Sequence, residues 1–224
     1  SDHVWHRGLW FTFKFINGEN FWEEGRDDNE GRQVCGVPTT GFEDGILALN
    51  LPVYWIRKSG EVIVNELRHL EYRRRSNTSY TLDHTSRLTI NADLLLDRTP
   101  FTTWGGYGGL CFRATRNWLD TKIHLADGTE TVRPTGVPAK WGALSGKLDG
   151  GPGLIATVAV LDHPANPRHP VPFYGSANNP GHYLTPAPLF HEPMTVAKGT
   201  VLTFAYRVVV EEAAFAASRL DELY

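Results

Sequence analysis

Methionine occurs once in this chain, at Met194, and cysteine only twice, at Cys35 and Cys111. With no Met at residue 1, the chain is expected to be a processed or trimmed product, and its start says nothing of localisation. Two cysteines cannot build a disulfide framework; one bridge or two buried thiols both fit. Long apolar runs are also lacking. The longest, from Gly153 to Leu161, is strand-sized and far short of the roughly 20 residues a membrane helix needs. No membrane partner is therefore expected. Charge of one sign is scarce too: a formal net charge of −3 leaves no basic footprint for nucleic acid. The one basic run, Arg73-Arg74-Arg75, lies beside Glu71 at a strand end and reads as a solvated edge. Repeats, low-complexity tracts and linkers are missing, which favours one domain over 1–224.

What the chain has is aromatic residues: seven Trp, eight Tyr and eleven Phe. Many will be core, but Trp beside Gly, Arg and His in polar stretches suits stacking on the apolar face of a sugar ring. Period-two patterning dominates the rest. In Ser79–Ile90 the residues Tyr80, Leu82, His84, Ser86, Leu88 and Ile90 share one face, and His84 there reads as a hydrogen-bonded core histidine. Strands are also expected over Leu9–Ile16, closed by an Asn17-Gly18 turn, over Glu61–Tyr72, and over Thr200–Val210. Gly45–Ile56 reads as a strand pair or a strand interrupted at Pro52, and residues 25–44 as loop. Glu211–Leu223 has helical composition. The fold class that follows is all-β, an antiparallel β-sandwich or supersandwich with a short C-terminal helix.

The most concentrated chemistry lies in Asp162-His163-Pro164-Ala165-Asn166-Pro167-Arg168-His169-Pro170. Three prolines stiffen this segment, and both His163 and His169 precede a proline, so both sit on non-helical chain. A plain turn in which Asp162 and Asn166 satisfy backbone amides would need neither imidazole nor Arg168. His163 and His169 are therefore candidate acid and base, with Asp162 orienting one of them. His3 and His6, with Arg7 after them, form an HxxH in extended context, weak as a metal pair. Between Pro100 and Arg113 four glycines surround Trp104 and Tyr107; they admit either a ligand or another backbone. Trp22, Glu23, Trp141 and its neighbour Gly142 add to the polar-aromatic stretches.

These separated motifs together resemble one family. They are Asp-His-x-x-His-Arg-Gly-Leu-Trp-Phe at 2–11, Asn-Gly-x-x-Phe-Trp at 17–22, Gly-Tyr-Gly-Gly-x-x-Phe-Arg at 106–113, Trp141-Gly142, the proline-rich string at 162–170, and Tyr-Arg-Val-Val-Val at 206–210. The pattern resembles the soluble family often labelled "methane oxygenase PmoA", whose members usually carry further strands before the first motif. That label implies a monooxygenase subunit. A particulate methane oxygenase subunit is an integral membrane protein, and a chain with nothing to span a bilayer argues against that activity. The His-Arg-Gly-x-Trp motif is instead similar to the aldose-mutarotase type of supersandwich, which implies sugar binding in a concave sheet with His and a carboxylate as acid and base.

The leading expectation is thus a carbohydrate-active enzyme working by acid–base chemistry on a sugar or keto-sugar ring. His163, His169, Asp162 and His6 would be catalytic. His3, Arg7, Trp10, Trp22, Trp104, Tyr107, Arg113, Trp141, Asn166 and Arg168 would bind the substrate, with the arginines placed for a developing oxyanion. The partner is a small-molecule carbohydrate and no cofactor is expected; a homo-oligomer stays open. A non-catalytic sugar-binding module is the alternative. A third reading gathers His3, His6, His163 and His169 around a transition metal.

Overall fold

The computed structural model describes residues 8–23, 25, 28–100, 105–148, 153–178 and 181–224. Strands follow one another along the chain: β1 (Leu9–Phe13), β2 (Phe15–Ile16), β3 (Glu19–Asn20), β4 (Arg32–Cys35), β5 (Thr39–Glu43), β6 (Ile46–Ile56), β7 (Val62–Arg74), β8 (Ser79–Ile90) and β9 (Leu94–Asp97). The second half contributes β10 (Gly108–Arg113), β11 (Leu119–Leu125), β12 (Glu130–Thr131), β13 (Thr135–Pro138), β14 (Trp141–Lys147), β15 (Ile155–Asp162), β16 (Pro172–Ser176), β17 (Tyr183–Pro186), β18 (Met194–Val196) and β19 (Val201–Glu211). One helix, α1 (Ala217–Leu223), closes the chain. No helix among the described residues is long and apolar enough to cross a membrane.

The strands form three antiparallel sheets. A five-stranded sheet runs β1-β10-β17-β16-β13; a ten-stranded sheet runs β12-β11-β14-β15-β19-β8-β7-β6-β4, with β5 also on β6; a four-stranded sheet runs β18-β9-β2-β3. The two larger sheets pack as a sandwich. Alternation along β1 turns Phe11 and Phe13 inward, where their rings lie 5.6 and 5.7 Å from Phe204 and 6.2 and 6.1 Å from Trp55. The period-two pattern of Ser79–Ile90 holds with the expected bounds, and His84 lies buried on the inner face.

The strand expected over Leu9–Ile16 is broken at Lys14 into β1 and β2, which join different sheets, and three further elements differ from the sequence reading. β6 runs unbroken through Pro52, because that residue faces the junction between β4 and β5, where no ladder bond needs its missing N–H. The segment read as loop holds β4 and β5, edge strands that are largely exposed and so lack an apolar period. The C-terminal helix covers only Ala217–Leu223, since Glu211 still belongs to β19. Both cysteines are free, Cys35 exposed and Cys111 buried.

Candidate functional site

The proline-rich loop leaves β15 at Asp162, whose side chain is buried on the inner face. Its Oδ2 accepts a bond from His169 Nδ1 at 2.7 Å and from the Val171 N–H at 3.2 Å; its Oδ1 accepts from Asn166 Nδ2 at 2.7 Å. Burial raises the Asp162 carboxyl above its ordinary range, against the pull of these donors. Asn166 also zips the loop to β19: Nδ2 donates to the Ala205 carbonyl and Oδ1 accepts the Ala205 N–H, both at 2.7 Å. Arg168, at φ +64°, donates to the carbonyls of Pro188, Glu192 and Pro193. The two histidines part company here. His163 is exposed, its Nδ1 taken by the Ala165 N–H at 3.1 Å. His169 is held between Asp162 and the hydroxyl of Tyr224, which lies 3.2 Å from Nε2. A buried carboxylate, an imidazole 21% exposed and a terminal phenol therefore stand in line, a geometry that can relay a proton.

A second cluster occupies the outer face of the five-stranded sheet. Register puts Trp10, Cys111 and Thr12 on that face, together with Arg113, Tyr183, Thr185 and Tyr174. The ring of Trp10 meets Trp22 at 5.4 Å, Trp22 meets Tyr107 at 4.8 Å, Tyr107 stacks on Tyr174 at 6.3 Å, and Tyr174 meets Tyr183 at 5.6 Å. Trp22 and Glu23 are presented by a turn built on Asn20, whose Oδ1 accepts both of their N–H groups at 3.0 and 3.1 Å. The Glu23 carboxylate takes Asn20 Nδ2 at 2.8 Å and the ammonium of buried Lys14. Cys111 accepts the Thr185 hydroxyl at 2.9 Å, and burial pushes both its thiol and the Tyr107 hydroxyl up to about 12. Burial raises the Tyr183 hydroxyl as well, so Cys111, Tyr107 and Tyr183 are neutral near pH 7.

The glycine run at 105–109 serves this cluster by close packing within the chain. A Cβ on Gly105, at φ +84°, would lie 2.5 Å from the Tyr174 ring, and one on Gly106 would lie 2.1 Å from the Phe190 carbonyl. Phe190 caps Tyr174 at 5.9 Å, and its segment is the one that Arg168 holds.

The structure therefore brings Trp10, Trp22, Tyr107 and Arg113 to one face and draws Asp162, Asn166 and His169 together elsewhere. Arg168 touches the aromatic cluster only through the Pro188–Pro193 segment. Trp141 belongs to neither group. It is 1% exposed on the back of the ten-stranded sheet, beneath α1, with Nε1 donating to Asp221 at 2.9 Å. His3, His6, Arg7 and Trp104 lie outside the described residues. Among the described residues no group of three or more His, Cys, Asp or Glu could hold a metal ion. Lys14, Tyr174 and Tyr183 were missed from sequence. The signal for Lys14 was present: Trp10, Thr12 and Lys14 alternate with Phe11, Phe13 and Phe15, a strand with one apolar face and one mixed face.

No curated protein and no solved structure matches this chain. A family model does, over residues 1–224, and its description is "Family of unknown function". The chain belongs to that family, DUF6807.

Proposed function

We propose that the protein binds a sugar or sugar-derived ring on the outer face of the five-stranded sheet. The observation that carries this is the unbroken array Trp10–Trp22–Tyr107–Tyr174–Tyr183, in which the partly exposed Trp10, Tyr107 and Tyr183 rest on the buried Trp22 and Tyr174, on a sheet face whose other side is core. Aromatic faces stack on the C–H side of a pyranose, while the polar atoms interleaved among them answer hydroxyls. Arg113 and the Glu23 carboxylate supply such groups here. His6 and Arg7 precede Gly8, whose carbonyl accepts the Arg113 N–H at 2.7 Å, so the opening motif runs in sequence straight into this sheet. Likeness to the mutarotase-type supersandwich and to the PmoA-labelled family belongs to the same reading.

One observation favours catalysis as well as binding: the Asp162–His169–Tyr224 line fixes the imidazole by a buried carboxylate. Because this line stands apart from the aromatic face, acid–base work by the imidazole on a sugar held at the proline-rich loop is the second reading.

Calorimetric titration with a panel of monosaccharides, uronates and keto-sugars tests the proposal. At least one sugar should bind, and Tyr107→Ala should weaken it roughly tenfold or more, about 1.4 kcal/mol. In the same assays His169→Gln should leave that affinity unchanged and abolish turnover under the second reading. Absence of binding across the panel at ~10 mM, equivalent to a free energy weaker than about −3 kcal/mol, would sink the sugar assignment. Unaltered affinity in Tyr107→Ala would remove it from this face.

A further inference from the structure

On the back of the ten-stranded sheet, away from the aromatic face, β11, β12 and β14 bring a hydroxyl, an imidazole and a carboxylate into line. Register places Lys122 opposite Ser145 and His124 opposite Ala143, with Glu130 opposite His124 on the other side. Side chains of directly paired residues share a face, so Ser145, His124, Lys122 and Glu130 all point the same way. Ser145 Oγ lies 3.0 Å from His124 Nε2, and His124 Nδ1 lies 3.6 Å from Glu130 Oε2. The tautomer with its proton on Nδ1 turns that N–H towards the Glu130 carboxylate and leaves Nε2 to accept from the serine. Phe215 stacks on the imidazole at 3.9 Å with the planes 4° apart, closing one ring face and fixing its orientation.

We propose that Ser145, His124 and Glu130 form an acyl-transfer site that takes a small ester. Ser145 is the nucleophile, His124 the general base and Glu130 a positioning residue. The 3.0 Å contact is one that a nucleophile and its base require; Glu130, 3.6 Å from Nδ1, acts on the ring through its charge rather than through a hydrogen bond. Burial lowers the His124 pKa, and neighbouring Lys122 lowers it further against the opposite pull of Glu130, so the ring is neutral and basic near pH 7. The pairing of β11 with β14 shifts register between Leu119 and Lys122, and Asp120 within that irregularity has φ +51°. Such bulges re-aim side chains beside sites, and this one sits where Lys122 comes opposite Ser145. Lys122, which also donates to Glu130, brings the positive charge that an oxyanion on this face needs.

The chemistry balances with water as co-substrate. Ser145 Oγ attacks the ester carbonyl carbon while its proton passes to His124 Nε2. The bond to the alcohol oxygen breaks, and the imidazolium returns that proton to the departing alkoxide. Water then attacks the acyl-serine with the same imidazole as base, releasing the carboxylic acid and restoring the hydroxyl. This proposal does not rest on sugar binding, since none of its residues lies on the aromatic face.

The test uses the full chain with a fluorophosphonate probe and p-nitrophenyl acetate. One covalent adduct should form and map to Ser145 by peptide mass spectrometry. Ser145→Ala and His124→Asn, with unchanged circular dichroism, should lose the adduct and slow ester hydrolysis roughly 100-fold. Glu130→Gln should keep the adduct but slow its formation and move the rising limb of the pH–rate profile to lower pH, because the carboxylate raises the imidazole pKa; a merely structural glutamate would not shift that limb. Among the described residues Lys122 and Glu130 are the charged groups facing His124, so Lys122→Met should move the limb the other way. An adduct elsewhere, no adduct at Ser145, or hydrolysis unaffected by Ser145→Ala overturns the assignment.

Discussion

At His84 an imidazole that ordinarily titrates near neutrality is closed in by core, with the Phe11 ring 5.8 Å away and Nδ1 buried without a partner. Burial drives its pKa from 6.5 to about 3, with the Arg68 charge adding to the effect. The folded state thus holds fewer protons than the unfolded one across this window. Stability is complete above pH 6.5 and is lost as pH falls towards 3, at about 1.4 kcal/mol per unit. Between pH 7 and pH 5 the loss from this group is therefore about 2 kcal/mol. Asp162, whose pKa is raised, acts in the opposite sense, so the measurement is the difference between wild type and His84→Gln in urea unfolding. The two curves should converge towards acid; parallel pH dependence would remove His84 as the cause. The placement of this residue was legible in the sequence, because its strand alternates cleanly and His84 falls on the apolar phase. The fates of His163 and His169 were not. Both precede proline, and only Asp162 and Tyr224, the second of them 55 residues along the chain from His169, distinguish them.

The loop from Asp162 to Pro170 behaves as an element in its own right, because Asn166 gives it a strand-like pairing with β19. Losing that amide strips Ala205 of a donor and an acceptor and Asp162 of one of its donors. Leaving several buried polar groups unpaired costs about 1–3 kcal/mol each, partly shared by relaxation. Asn166→Ala should accordingly lower the unfolding free energy by about 3 kcal/mol in urea, with the m-value unchanged. A loss below about 0.5 kcal/mol, the scale of an ordinary surface change, would mean that the zip is dispensable. From sequence this stretch read as rigid, polar and ordered, which it is. Its facing was illegible because its partners Pro188, Ala205 and Tyr224 lie on three later segments. The same reason hid the Ser145–His124 contact. Their alignment depends on the pairing of β11 with β14 and on a bulge that no local pattern announces.

Across the whole molecule the two large sheets are joined by one aromatic seam, Phe11 and Phe13 against Trp55 and Phe204. Trp55 couples this seam to a buried polar network: its Nε1 donates to Glu66 Oε2 at 2.8 Å, and Glu66 also takes Ser86 Oγ at 2.6 Å and Arg68 Nε at 2.8 Å. Apolar contact and charge are thus tied to the same ring, so the sheets should not separate independently. Truncating Phe204, which is fully buried between Phe11 and Phe13, removes contacts from both sheets at once. Phe204→Ala should cost about 3–5 kcal/mol, with tryptophan fluorescence and far-ultraviolet circular dichroism still moving through one transition. Two separated transitions would show that the seam does not bind the sheets into one cooperative unit. The aromatic face and the Ser145 site lie on opposite outer surfaces of this joint and share no side chain with it. In the folded fraction of Phe204→Ala, sugar affinity and fluorophosphonate labelling should therefore both persist. A change in either at temperatures well below the transition would mean that packing at the seam sets the geometry of that surface.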